Sequence, residues 1–138
     1  SSVNYGAGGA VFVIGGGSVT IHNSILWGNI GPIHEIDVYD NNSSCTLKNC
    51  CIDASGMYSY APSASCIVED KCIYDDPLFV NATGGDFHLQ GSSPCIDAGD
   101  DSLVPDSVTT DLDGNRRIVD GNNDGTATVD IGAYEYQP

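Results

Sequence analysis

Basic residues are scarce in this sequence. Four Lys and Arg stand against nineteen Asp and Glu, which gives the 138-residue chain a formal charge of −15. A chain with so few cations lacks the basic surface that displaces counterions from nucleic acid phosphates. An anionic membrane surface would also repel it, unless bound cations offset the charge. The composition therefore argues strongly against nucleic acid and against anionic membranes as partners.

Long apolar runs are absent as well. No stretch reaches the roughly 18 residues of a membrane-spanning helix, so no membrane insertion is expected. No basic start leads into an apolar segment, as a signal peptide would require, and the first residues, "SSVNYGAGGAVFVIGGG", read as a chain already in progress. With 41% apolar residues, the chain is long enough for a real core, and we predict one domain over residues 1–138.

Helical periodicity is also missing. No window of about eleven residues places apolar side chains at positions i, i+3, i+4 and i+7. The chain is instead a succession of short alternating runs, such as "SVTIHNSILWGN" and "DFHLQGSSPC", punctuated by Gly and Asn. Such runs are typical of strands joined by turns. The sequence therefore predicts an all-β fold.

A repeat appears when these runs are aligned. Residues 19–24 (VTIHNS) match residues 45–50 (CTLKNC), 26 residues later, and residues 87–92 (FHLQGS) form a third copy. The third copy follows an inserted, Cys-containing loop at residues 57–72, and "CIDASG" returns as "CIDAGD". In each copy the residues two apart point to one face, because side chains alternate along a strand.

Strand-sized repeats of this length bury their inner face by stacking on one another, as in a right-handed parallel β-helix. The Asn residues at the repeat turns, Asn23 and Asn49, would then form a ladder of hydrogen-bonded amides. Asn is suited to this place because it tolerates positive φ. The main alternative is an antiparallel β-sandwich, although a sandwich has no reason to repeat its sequence.

The cysteines favour disulfides over metal or free thiols. They lack the paired C-x-x-C spacing of zinc sites, and their even number suits an oxidising compartment; buried free thiols are the alternative. The six are Cys45, Cys50, Cys51, Cys66, Cys72 and Cys95. Adjacent Cys50 and Cys51 should not pair, because a vicinal bridge strains the peptide. Cys66 or Cys72 should tether the 57–72 loop, and Cys51 could bridge Cys95 if their strands are neighbours.

Three Asn-x-Ser/Thr acceptors for N-glycosylation, at Asn41, Asn42 and Asn81, add some weight to an extracellular location.

Three segments resemble a known family. "NSILWGN", "DPLFVNATGGDFHLQGSSPCIDAGD" and "TDLDGNRRIVDGNNDGTATVDIGAYEY" are similar to the C-terminal part of secreted right-handed β-helix proteins. These are bacterial and archaeal surface proteins of the choice-of-anchor or polymorphic-outer-membrane-like type. The resemblance covers nearly the whole chain and is densest over residues 76–136. It implies an extracellular β-helix whose C-terminal segment, residues 106–138, closes the last turn, and it implies no catalytic residue.

The stretch "VDGNNDGTATVDIG" has the first half of a calcium-binding loop. Asp120, Asn122 and Asp124 occupy positions 1, 3 and 5, and Gly125 occupies position 6. Alternate side-chain oxygens then converge on one point while Gly permits the sharp turn, and Thr126 offers its carbonyl oxygen. Oxygen ligands of this kind suit Ca²⁺.

The second half of the loop departs from that pattern. Position 12 is Ile131, so we assign the closing carboxylate to Asp130. The predicted calcium site comprises Asp120, Asn122, Asp124, Asp130 and the carbonyl of Thr126. A solvated acidic turn is the alternative. The "DLDGN" stretch that precedes it indicates a tight turn, and the nearby Arg116 and Arg117 are expected to pair with acids.

Residues for catalysis are hard to find. β-Helical sugar lyases use a basic residue beside calcium, but Lys48, Lys71, Arg116 and Arg117 lie in no recognisable motif. The three histidines are scattered along the sequence. Paired acids for glycoside hydrolysis could be chosen in many ways among nineteen acids, so such pairs do not indicate an active site. Trp27 and seven Tyr could stack on sugars or simply cover a sheet face.

The sequence thus favours a non-catalytic, extracellular structural or adhesive module. The alternatives are a carbohydrate-binding module and a polysaccharide lyase or hydrolase of the β-helix type. Exposed aromatics on a flat face would indicate the binding module, and a basic groove beside a metal would indicate the enzyme. Because "AVFVI" at residues 10–14 arrives with no covering helix, we also expect either a longer parent β-helix or head-to-tail self-association into a filament.

Overall fold

A computed structural model describes residues 9–29, 34–53, 56–69 and 71–138 of the chain. No α-helix occurs in these ranges, and the 3-10 turns Ala82–Gly84 and Asp101–Leu103 are short. The strands are β1 (Val11–Val13), β2 (Ser18–His22), β3 (Ile25–Leu26), β4 (Ile36–Val38), β5 (Ser44–Lys48), β6 (Cys51–Ile52), β7 (Met57–Ser59), β8 (Ser65–Val68), β9 (Phe79–Asn81) and β10 (Asp86–Leu89). The predicted all-β class is confirmed. Within the described ranges, no helix has the length and apolarity to cross a membrane.

Eight of the strands form three parallel sheets, ordered β1-β4-β7, β2-β5-β8 and β3-β6. The chain visits one strand of each sheet in turn and then begins the cycle again. Ser18 pairs with Ser44 across an offset of 26 residues, as the repeat predicted. We call each cycle a turn: β1–β3 form the first turn, β4–β6 the second, and β7 and β8 the third.

The third copy of the repeat is not where the sequence placed it. Residues 57–72, expected to be an inserted loop, contain β7 and β8, which pair in parallel with β4 and β5. Residues 86–89 instead form β10, which pairs antiparallel with β9. The expected position was wrong because the alignment followed the 26-residue offset of the first two copies. Ser65 pairs with Ser44, so the third turn is shorter than that offset.

The core lies between the inward faces of the parallel sheets. Cys45 and Leu47, two residues apart in β5, are fully buried, and Val38 and Ile36 meet them from β4. This confirms the predicted alternation along the strands. Burying one such side chain contributes about 1.5–3 kcal/mol. A second cluster, built around Cys51, Leu89, Cys95 and Ile131, joins the third sheet to the C-terminal part of the chain.

Asn residues form the corner after β2 and after β5. Asn23 has φ 47° and Asn49 has φ 46°, the left-handed conformation that Asn tolerates better than most residues. The predicted amide ladder, however, is wrong. The Asn23 side chain donates to Asp100 O (3.0 Å) and accepts from Asp100 N (2.9 Å), and the Asn49 amide donates to Ala98 O (3.3 Å). A later segment occupies the corner and satisfies both amides.

The C-terminal segment lies along the side of the first two turns. Besides the contacts at Asn23 and Asn49, Gly132 N donates to the Asn23 carbonyl (3.1 Å). The segment itself is held by short antiparallel bridges, Thr110 to Arg116 and Val119 to Thr128. The acidic loop at residues 120–126 is positioned by hydrogen bonds from Gly121 N and Asn122 N to the Asp97 carboxylate.

Candidate functional site

The outer side of the sheet β1-β4-β7 carries a row of aromatic rings. Val11 and Val13 point to the core, so Phe12, which lies between them, points outward. Phe12 pairs with Asp37 in β4, and Asp37 pairs in turn with Tyr58 in β7. Tyr39 and Tyr60 extend the ladder beyond β4 and β7, since Tyr39 N donates to Val13 O and Tyr60 N to Val38 O, both at 2.9 Å.

Five rings are in continuous contact on this surface. We define the aromatic face as Phe12, His34, Tyr39, Tyr58 and Tyr60. The ring centroids are 6.0 Å apart for Phe12 and Tyr39, 5.4 Å for Tyr39 and Tyr60, and 4.6 Å for Tyr60 and Tyr58. The His34 ring stacks on Tyr58 with centroids 5.0 Å apart and planes 9° apart. The face thus crosses all three strands of the sheet.

The aromatic face is open to solvent although it is apolar. Phe12, Tyr58 and Tyr60 are 39%, 49% and 37% exposed. Contiguous exposed apolar surface of this kind commonly marks an interaction site.

A buried carboxylate lies among the rings. Asp37 is 1% exposed, and its Oδ1 lies 2.9 Å from His34 Nδ1. Desolvation, together with the charge of Asp37, raises the pKa of Tyr60 above its usual value. The aromatic face therefore combines exposed apolar ring surface with hydroxyl groups that both donate and accept hydrogen bonds.

Sequence reasoning missed this face. The sequence did contain a signal for it: the aromatic residues of "VFVI", "DVY" and "YSY" either lie two apart or stand next to inward-facing residues. It was not recognised because residues 57–72 were assigned to a loop. Only the pairing of β4 with β7 places Tyr58 and Tyr60 beside Tyr39.

An apolar groove of about 490 Å³ lies on another side of the molecule, between the third sheet and the C-terminal segment. Its walls include Ile25, Trp27, Phe79, Phe87, Leu112 and Tyr134. Trp27, which was predicted either to cover a sheet face or to stack on a sugar, lines this groove and is not part of the aromatic face.

His88, next to the groove, is held by two acids. Its Nδ1 lies 2.6 Å from Asp86 Oδ1 and its Nε2 lies 2.7 Å from Asp113 Oδ2. The hydrogen bond to Asp113, followed by that to Asp86, raises the pKa of His88. With a carboxylate at each nitrogen, a protonated His88 ring links β10 to the turn at residues 111–115. Both nitrogens are then engaged, so the ring has no free lone pair to act as a general base.

The predicted calcium loop is folded by its own side chains. Asp124 N donates to Asp120 Oδ1 (3.0 Å) and to Asn122 Oδ1 (2.8 Å), and Gly125 N donates to Asp120 Oδ2 (2.9 Å). Asp124 Oδ1 accepts from Thr126 N (2.8 Å). The structure therefore brings four of the five predicted residues into one exposed turn, in which the carboxylates accept from backbone N–H groups.

Asp130 is held in a separate set of hydrogen bonds. It is 1% exposed, and it accepts from Asp97 N (2.8 Å) and Tyr136 N (2.6 Å). Asp97 in turn accepts from Gly121 N (3.2 Å) and Asn122 N (2.8 Å), which anchors the start of the loop. In the described part of the chain, no three His, Cys, Asp or Glu residues are grouped so as to hold a metal ion. The calcium site stays a prediction, with Asp130 as a support of the loop.

A buried contact between an arginine and a glutamate lies in the same region. The Arg117 guanidinium contacts Glu135 Oε1 and donates to Gly132 O (2.8 Å). Burial raises the pKa of Glu135 to about 8, the charge of Asp130 adds to the shift, and Arg117 opposes it. The expected pairing of Arg117 with an acid is confirmed.

The remaining predicted residues lie as follows. Lys48, considered for lyase chemistry, pairs with Glu69 at 3.1 Å. The glycosylation candidates Asn41, Asn42 and Asn81 are all exposed; Asn41 Oδ1 accepts from Ser63 Oγ (2.9 Å), and Asn81 Oδ1 accepts from Gly84 N (3.1 Å). Four of the six cysteines are fully buried.

No protein-family model matches the chain, and comparisons with curated proteins and with solved structures found no match. A function for this protein is therefore argued from its own geometry.

Proposed function

We propose that this protein is a non-catalytic module of a secreted surface protein, built as a right-handed parallel β-helix, whose aromatic face binds a neutral polysaccharide. The continuous row of five exposed or half-exposed rings carries the proposal. It combines the predicted adhesive role with the predicted carbohydrate-binding alternative.

The path of the chain supports the β-helix. Each cycle visits the three parallel sheets in the same order, and Cys45 pairs with Val19 on one side and Cys66 on the other. Stacked turns of this kind bury a continuous core that no single turn could bury alone. The resemblance to secreted right-handed β-helix proteins supports the handedness and the extracellular location.

The chemistry of the aromatic face favours a sugar polymer. Pyranose rings present C–H groups to flat apolar surfaces and hydroxyl groups to polar ones, and tyrosine offers both kinds of contact at low entropic cost. The face crosses three strands about 4.8 Å apart, so it can contact several units of an extended chain. The formal charge of −15 would repel an acidic polymer, which makes a neutral polysaccharide the better ligand.

Two observations weigh against the lyase or hydrolase alternative. The cations Lys48 and Arg117 are engaged by Glu69 and Glu135. His88 has a carboxylate at each ring nitrogen. A lyase built on this chain would therefore have to use Lys71, Arg116 or another histidine as its cation or imidazole near the sugar.

The test is affinity electrophoresis on gels containing soluble glucan, mannan or xylan, with polygalacturonate as an anionic comparison. We expect retardation by at least one neutral polymer. Tyr58→Ala and Tyr60→Ala should each weaken that binding about tenfold or more, because central aromatic anchors dominate such interfaces.

Tyr74→Ala is the matched control, since Tyr74 is 46% exposed and lies outside the aromatic face. It should bind like the native protein. The proposal fails if no neutral polymer binds or if Tyr74→Ala loses as much as Tyr58→Ala. Release of shortened oligosaccharides would favour the enzyme instead.

A further inference from the structure

The six cysteines are arranged as three neighbouring pairs. The first pair lies in the second sheet, where Cys45 of β5 and Cys66 of β8 are direct register partners. Both side chains belong to the same core cluster, so they point inward from adjacent strands. Each thiol shifts the pKa of the other, as close neighbours do: Cys66 raises the pKa of Cys45, and Cys45 lowers the pKa of Cys66.

The second pair follows from the register at the next corner. Cys51 bridges Ile73 in parallel, and Ile73 N donates to Cys50 O (2.8 Å). One residue earlier on each segment, Cys72 is therefore beside Cys50. Cys72 packs against the cluster that contains Cys50.

The third pair links the second turn to the C-terminal part of the chain. Cys51 and Cys95 are both fully buried in the second core cluster. Each of these thiols also shifts the pKa of the other: Cys95 raises the pKa of Cys51, and Cys51 lowers the pKa of Cys95. Ser93 Oγ accepts from Cys95 N (3.1 Å), which holds Cys95 in place.

We propose that the mature protein carries three disulfides, Cys45–Cys66, Cys50–Cys72 and Cys51–Cys95. Cys45 and Cys66 are inward-facing partners on adjacent parallel strands, which are about 4.8 Å apart, inside the roughly 4.4–6.8 Å between Cα atoms that a disulfide spans. A bridge between Cys45 and Cys50 would instead have to join a residue of β5 to a residue just beyond the Asn49 corner of the same segment. The pairing depends on the secreted location of the proposed function and is independent of polysaccharide binding.

Each bridge forms by exchange with a low-molecular-weight disulfide such as oxidised glutathione. One cysteine thiolate attacks the oxidant and forms a mixed disulfide, which releases the first glutathione thiolate. The partner cysteine then displaces the second. The two protein thiols lose two protons and two electrons, and the oxidant becomes two thiols.

Burial determines when this exchange takes place. Burial raises the pKa of Cys50 to about 11 and also raises the pKa of Cys72, so these two thiols are rarely ionised in the folded chain at neutral pH. Each pair also contains at least one fully buried cysteine, which an oxidant cannot reach once the chain has folded, so the bridges form while the turns are still assembling. Once buried, they resist reducing agents, and they lock the second turn to the third and to the C-terminal part of the chain.

The experiment is refolding of the full chain in a glutathione redox buffer, followed by thiol counting in denaturant without reductant. No free thiols are expected. Non-reducing proteolysis with electron-transfer fragmentation should find the three named linkages, and reduction should lower the unfolding midpoint by at least about 10 °C. Six free thiols, or linkages between other partners, would overturn the proposal.

Paired variants make the test specific. Cys45→Ser/Cys66→Ser removes one proposed bridge and should leave no free thiol, whereas the mismatched Cys45→Ser/Cys72→Ser should leave two, at Cys66 and Cys50. Equal thiol counts in the two variants would also overturn the pairing. Thiol counts do not involve the aromatic face, so loss of polysaccharide binding alone leaves this result unaffected.

Discussion

Glu135 is a buried acid in an acidic protein. Its side chain contacts Arg117 and accepts from Asp130 N (3.2 Å), while Glu135 N donates to Asp111 (3.1 Å). Desolvation raises its pKa from 4.5 to about 8, whereas N–H donors of Glu135 and Asn115 lower the pKa of Asp111 despite its burial. The two carboxyls therefore respond to pH in opposite ways.

The pH dependence of stability should reveal Glu135. A carboxyl whose folded pKa is raised contributes stability that is fully present below its unfolded pKa and is lost as pH rises through the folded pKa. We expect the free energy of unfolding to fall between pH 5 and 8 by on the order of 1–3 kcal/mol, and Glu135→Gln to flatten this decline. Urea unfolding at several pH values measures it.

Glu69→Gln is the control for Glu135→Gln, because Glu69 forms only an exposed ion pair with Lys48. It should keep the slope of the native protein. His88, whose pKa is also raised, loses its contribution in the same direction as pH rises and does so in both variants. Parallel curves for the native protein and Glu135→Gln would contradict the assignment.

At the scale of an element, the loop at residues 120–126 is a turn with more acceptors than cations. Asp120 and Asp124 point their oxygens inward to the loop N–H groups, and Asp97 anchors its first residues. Carboxylates so close together repel one another unless a cation lies between them. Ca²⁺ would fit these oxygen donors.

Calcium should stabilise this loop. We expect added Ca²⁺ to raise the unfolding midpoint by about 3–6 °C over the chelated protein. The double variant Asp120→Asn/Asp124→Asn should lose that increase, while Asp106→Asn, at an exposed acid outside the loop, should retain it. A midpoint that is the same with chelator and with Ca²⁺ would rule out the site.

At the scale of the whole molecule, β1, β2 and β3 lie at the same end of their sheets, so the described first turn has an open edge. Gly17 O accepts from Ser44 N (2.9 Å) and Asn23 N donates to Lys48 O (3.2 Å). Because backbone groups alternate in direction along a strand, Thr20 directs its N–H away from β5, toward the open edge. An edge of this kind can pair with another chain.

We predict head-to-tail association through this edge, promoted by Ca²⁺ because it offsets the negative charge. Light scattering should detect assemblies that grow with protein concentration. Thr20→Pro removes an edge donor without touching the β2–β5 ladder, so it should reduce association and keep the native circular dichroism spectrum. Monomers at high concentration with Ca²⁺ present would disprove this prediction.

Several features of the fold followed from local sequence. Alternation predicted the buried faces of Cys45 and Leu47, and the turn preference of Asn predicted the left-handed corners at Asn23 and Asn49. The 26-residue repeat predicted the register between β2 and β5. These properties depend on a residue and its near neighbours, or on two strands of equal spacing, so the sequence alone determined them.

The tertiary structure decided which distant segments meet. The shorter third turn put Tyr58 beside the rings of earlier strands and Cys66 beside Cys45, although no local pattern marks either contact. Asp100 and Ala98 took the amides of Asn23 and Asn49 from the expected ladder, and Asp130 accepts hydrogen bonds from Asp97 N and Tyr136 N. Such partners are chosen by competition among non-local hydrogen bonds and packing surfaces, which exist only once the turns have stacked.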